Sequence, residues 1–185
     1  MIRNVWFVLL CLVLFQSLHA GILRDRLSLG DDEEGKEASF SKEVRLIANV
    51  SYGTDAKERF DVYTPLHVNT STLAPVIFMV HGGAWKIGDK KSQSVVENKV
   101  NYWVAKGYIV ISTNYKLLPE APVNEQVNDV AKALGFAQAK SASWGGDKTK
   151  FIIMGHSAGA HIIALIASSS SVYTTHSITP PLAAV

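Results

Sequence analysis

Phe151-Ile152-Ile153-Met154-Gly155-His156-Ser157-Ala158-Gly159-Ala160-His161-Ile162-Ile163-Ala164-Leu165 decides how the chain is read. A short apolar run meets a glycine-flanked serine, and an apolar run of helical character follows. This is the pattern strand, sharp turn, helix. Gly155 and Gly159 leave room for a turn so tight that Ser157 is held in a strained backbone conformation, with its hydroxyl above the sheet edge. The helix that begins there offers unbonded N–H groups and the positive end of its dipole to a developing oxyanion. Ser157 is therefore the candidate nucleophile and the Ala158 N–H a candidate oxyanion donor.

Upstream, strands and helices alternate. Val76-Ile77-Phe78-Met79-Val80 is a continuous apolar run, as expected of a strand covered on both faces. Ser92 to Lys106 carries Val95, Val96, Val100, Trp103 and Val104 at helical spacing, with Gly107 placed to end the helix. Tyr108 to Ser112 is the next predicted buried strand. Pro122 to about Ser141 repeats the helical pattern, and Trp144-Gly145-Gly146-Asp147 turns the chain into the strand before Ser157. Earlier still, Val44–Val50 and Phe60–Tyr63 read as two strands joined by a turn near Tyr52 to Asp55. The expectation is an α/β domain over residues 42–185, built on a mostly parallel sheet with helices on both faces.

In such sheets, catalytic groups collect at the carboxyl ends of the strands. A second loop reaches that edge: His81-Gly82-Gly83-Ala84-Trp85, directly after the strand ending at Val80. Its glycines leave backbone N–H groups uncovered, so Gly82 and Gly83 join Ala158 as candidate oxyanion-hole donors.

Composition narrows the class. The 185 residues carry 18 Lys and Arg against 16 Asp and Glu, a balance that does not suggest nucleic acid as partner. The single cysteine, Cys11, excludes an intrachain disulfide. Residues 1–20 read as a secretory signal: Arg3, an apolar run from Val5 to Phe15, and small Ala20 before Gly21. That run is too short to span a bilayer, so a secreted or periplasmic protein without a stable membrane span is expected. Residues 21–41 are polar and acidic and read as a mobile leader. Two glycosylation sequons, Asn49-Val50-Ser51 and Asn69-Thr70-Ser71, stand as chance matches.

His81-Gly82-Gly83-Ala84-Trp85 with Gly88-Asp89-Lys90, Asn114-Tyr115-Lys116-Leu117-Leu118-Pro119-Glu120, Trp144-Gly145-Gly146-Asp147 and Gly155-His156-Ser157-Ala158-Gly159 together resemble the α/β-hydrolase superfamily. Within it, the match is to the carboxylesterase, hormone-sensitive-lipase-like and feruloyl-esterase-like branch, which shades into the kynurenine formamidases. The resemblance covers about Val44 to the end of the chain. It implies a serine hydrolase of small-molecule esters, acting through an acyl-enzyme on Ser157 with no cofactor and no metal. The alternatives are an amidase of the formamidase type and a non-catalytic binding protein that keeps the fold.

An activated serine needs a histidine base and a carboxylate behind it, which this superfamily supplies from later strands. Only 28 residues follow Ser157, none of them Asp or Glu. Asp147 precedes the same strand, on the order of 15 Å away at about 3.3 Å per residue. His176 lies beyond a helix that descends on the order of 18 Å. His161 is expected to pack, His156 to point elsewhere, and His81 to belong to a loop that offers backbone N–H groups rather than a base. The chain is thus expected to be the N-terminal portion of the domain, with Phe151–Met154 at an open or barely covered edge and no stable monomer.

Overall fold

The computed structural model describes residues 38–67 and 72–185. The signal segment, most of the leader and the second sequon lie outside the described residues. Ala38 to Ser41 were expected to belong to the leader, yet they pack with the domain: Ser39 and Ser41 donate their N–H groups to Glu97 and Asn101 at 3.0 and 2.9 Å, and Phe40 lies 5.0 Å from the Tyr63 ring.

Six strands form one sheet in the order β1-β2-β4-β3-β5-β6. β1 (Val44–Ser51) and β2 (Arg59–Pro65) pair antiparallel, and β2 is antiparallel to β4 (Ile109–Thr113). β3 (Ala74–Val80), β5 (Gly146–Gly155) and β6 (Ala183–Ala184) continue the sheet in parallel from β4. Among the described residues the α-helices are α1 (Gln93–Val104), α2 (Val123–Lys140), α3 (Ala158–Ala167) and α4 (Ser170–Thr175). α4 was not expected from the serine-rich sequence; the Ser169 hydroxyl caps it by accepting the Val172 N–H. β5 begins earlier than expected, because Gly146 already pairs with Ala74.

The two faces of β3 show why its run is unbroken. Val76, Phe78 and Val80 pack under α2 and α3 with Val130, Leu134 and Ile162, whereas Ile77 and Met79 pack under α1 with Val96, Val100 and Val104. A strand buried on both sides cannot alternate polar and apolar residues. The crossover through α1 leads from β3 to β4, and the one through α2 leads from β4 back past β3 to β5. Crossovers running in opposite directions put their helices on opposite faces, and they make β3 and β5 neighbours, with Val80 level with Gly155. The loops that leave those two strands are therefore side by side.

The edge expected to be open or barely covered at Phe151–Met154 is covered only by a two-residue strand, β6, whose Ala183 and Ala184 pair with Ile152 and Ile153. Leu182 donates to Phe151 O at 2.7 Å, Val185 to Ile153 O at 3.0 Å, and Gly155 to Val185 O at 2.9 Å, so the bonds reach the second half of β5. The approach to β6 is guided by α2, where the Gln138 side chain both donates to Thr179 O and accepts from Thr179 N, at 2.7 and 2.8 Å. No helix among the described residues is long and apolar enough to cross a membrane.

Candidate active site

Ser157 stands at φ 51° and ψ −117° as the residue that opens α3. For a residue with a side chain this conformation is strained by roughly 1–3 kcal/mol. Close packing imposes it. A methyl group at Gly155 would meet the Gly159 carbonyl carbon at 2.6 Å and Ala160 N at 2.7 Å, so the turn closes only on a glycine. Gly159 in turn faces the carbonyl oxygens of Val80 and His81, which lets the start of α3 settle directly on the end of β3. The serine itself is exposed at the sheet edge.

The glycine loop is pressed against this turn. A methyl at Gly82 would lie 2.8 Å from the His156 carbonyl oxygen and 3.2 Å from Ser157 Cβ. Gly82 and Ser157 are thus in van der Waals contact although 75 residues separate them. The N–H groups of Gly82, Gly83 and Ala158 have no acceptor among the described residues, which leaves all three able to donate to a substrate oxygen.

Histidines surround the serine without engaging it. His81 is buried; its Nδ1 donates to Gly82 O at 2.7 Å, and its ring stacks on Tyr115 at 4.6 Å. Burial holds the imidazole below its ordinary pKa, which favours its neutral form. The Tyr115 hydroxyl donates to His81 O at 2.9 Å, which fixes the start of the loop from the side. His161 packs edge-on against Trp85, with ring centres 5.5 Å apart. His176 Nε2 is 2.9 Å from Asn128 Oδ1 on α2. Asp147 stands at the far end of β5, held by Thr149 and Lys150. Among the described residues no histidine hydrogen bonds to Ser157, and a Ser157–His81 dyad is not formed.

A polar cluster beneath the loop escaped the sequence reading. Lys90 Nζ is 2.8 Å from Asp61 Oδ2, with both side chains almost fully buried. Lys90 also donates its N–H to Asn114 Oδ1 at 2.6 Å and accepts the Ser112 hydroxyl on its carbonyl at 2.8 Å. Asn114 Nδ2 donates to Asp89 Oδ2 at 2.9 Å. Burial works to raise the Asp89 carboxyl, but the bonds from Asn114 and Lys91 outweigh it and hold it below the usual range. The available signal was Asp61, a charged residue set among Phe60, Val62 and Tyr63 in a buried strand.

A strained serine at the carboxyl ends of the parallel strands of the sheet, with the free N–H groups of a glycine loop against it, defines an α/β-hydrolase site. The chain belongs to the BD-FAE family, whose model matches residues 60–178. It is 34% identical over 125 residues to the isoprenylcysteine alpha-carbonyl methylesterase of Arabidopsis thaliana, a match that takes in 68% of this chain and 28% of that one. It is 29% identical over 139 residues to the kynurenine formamidase of Salmo salar, covering 75% of this chain and 44% of that one. Esterase B from Lactobacillus rhamnosis shares the fold, with a TM-score of 0.68 at 20% identity over 90% of this chain and 54% of that one. The chain thus spans 28% to 54% of the length of these proteins.

Proposed function

We propose that the protein is a hydrolase of small-molecule carboxylic esters in which Ser157 is the nucleophile. Its Oγ attacks the ester carbonyl, and the N–H groups of Gly82, Gly83 and Ala158 take up the charge that develops on the carbonyl oxygen. Collapse releases the alcohol and leaves an acyl group on Ser157, and water then releases the acid and regenerates the serine. The observation that carries this reading is the left-handed Ser157 turn in contact with Gly82. The methylesterase relative supports ester over amide. The formamidase relative favours a second reading, amide hydrolysis at the same residues. Turnover of short acyl esters beside N-formylkynurenine separates the two. Export through residues 1–20 is part of the same proposal, checked by N-terminal sequencing of the mature protein, which should begin at Gly21.

A fluorophosphonate probe tests the nucleophile. Because no histidine engages Ser157 among the described residues, labelling is expected to be slow, confined to Ser157 and lost in Ser157→Ala. Labelling elsewhere, or labelling that survives the substitution, refutes the assignment.

A further inference from the structure

Gly83, Ala84 and Trp85 follow one another at φ 121°, 50° and 62°. Glycine adopts such angles freely, but two successive residues with side chains do so only where their surroundings over-determine the backbone. The turn closes on itself where Lys86 and Ile87 donate their N–H groups to Gly83 O at 3.0 and 2.9 Å, and its crest is tied to the rest of the fold through the Trp85 carbonyl. It accepts the Leu118 N–H at 2.9 Å and Nε2 of Gln126 at 3.0 Å, and the same Nε2 reaches Ala121 O at 2.9 Å.

Gln126 lies in the first turns of α2 and is fully buried. The orientation of its amide is forced, since turning it over would set its oxygen against two carbonyl oxygens. In the forced orientation Oε1 is buried without a partner among the described residues, and so is the indole N–H of Trp85. A bare buried acceptor is unfavourable, and an apolar side chain of similar size would fill the space without one. What the glutamine supplies in exchange is a donor that ties the strained crest to a rigid helix. The foot of the loop is fixed separately, through Lys90, Asn114 and Ser112.

We propose that Gln126 is a positioning residue for the oxyanion loop: by clasping the Trp85 carbonyl it holds Gly83–Trp85 in their left-handed conformation and keeps the Gly82 and Gly83 N–H groups beside Ser157. It touches no reacting atom and acts through the backbone of Trp85.

Gln126→Leu removes both donated bonds and the unpaired oxygen together but leaves Ala121 O, in a fully buried residue, without its donor, so the melting temperature should fall modestly while the loop loosens. In peptide-resolved hydrogen exchange, residues 81–88 are expected to exchange about tenfold faster, with β3, β4 and β5 unchanged. Against p-nitrophenyl acetate, kcat should fall about 10- to 100-fold with KM within about twofold, less than the roughly 10²- to 10³-fold cost of deleting an oxyanion donor outright. If the leucine variant does not fold, Gln126→Met, unbranched and without a donor, carries the same expectation. Loop exchange that is unchanged, or that rises equally across the whole sheet, overturns the proposal. The kinetic arm rests on the hydrolase reading: a wild-type protein that turned over no ester would defeat that reading, and the exchange comparison would still decide the role of Gln126.

Discussion

Lys90→Met should be far more damaging than the loss of an ordinary surface charge. The lysine amino group lies 2.8 Å from Asp61 Oδ2, and the two side chains are 6% and 4% exposed. Methionine matches the length of the side chain but leaves the Asp61 carboxylate buried, with only the Asn49 N–H, 2.7 Å from Oδ1, to stabilise it. Removing one partner of a buried pair costs about 3–5 kcal/mol, a large share of a typical domain stability of about 5–15 kcal/mol. At about 2–4 °C per kcal/mol for a domain of this size, the melting temperature should fall by roughly 6–20 °C. The bonds made by the Lys90 backbone to Asn114 and Ser112 remain, so the loss reports the charge and not a detached loop. Adding Asp61→Leu should recover most of it, because an apolar pair of similar volume avoids desolvating either ion; the exposed Asn49 N–H can then turn to water. Thermal and urea unfolding of the wild type, both single variants and the double variant at pH 7 complete the cycle. A loss below about 1 kcal/mol for Lys90→Met, the value of an exposed pair, or a double variant no more stable than the single, would refute the reasoning.

Ser157→Gly should raise stability by about 0.5–2 kcal/mol, since relief of the strained φ outweighs the backbone entropy of glycine, while ending phosphonate labelling; a lower melting temperature would show that the turn is not strained. Acidification should destabilise the protein through its histidines. His81 and His176 are both held below their ordinary pKa, by burial at His81 and by burial and then Lys132 at His176. The unfolded chain therefore binds more protons than the folded one, and stability should fall as the pH drops through about 6.5 toward the lower folded-state values. Replacing both residues with asparagine should flatten melting temperature against pH across that window, and an unchanged slope assigns the effect to other groups.

The elements that could be read from the chain are those whose signal is local. β3 and β4 announced themselves because strands covered on both faces carry runs of consecutive apolar residues, and α1 and α2 because their apolar residues recur at the helical period. Their observed bounds, Gln93–Val104 and Val123–Lys140, fall within one or two residues of expectation. The Ser157 turn was legible for a similar reason: a chain that must leave a strand and enter a helix within a few residues needs glycines on either side of the turn, and their spacing is written in the sequence.

What the sequence by itself determined, then, was which backbone segments are buried and where the chain turns sharply, because burial and turning act on neighbouring residues. The tertiary structure alone decided which polar groups meet. Gly82 touches Ser157 only because two opposed crossovers make β3 and β5 neighbours. Asp61 finds Lys90 across 29 residues, and Gln126 finds the Trp85 carbonyl across 41. Ala183 and Ala184 settle on the edge of β5 because Gln138 holds Thr179 and β5 offers free backbone groups, partners that no local pattern records. The histidines follow the same rule. A side chain's neighbours in space are chosen by how distant segments cross, and it was those crossings that set His81 on Tyr115, His161 against Trp85 and His176 beside Asn128.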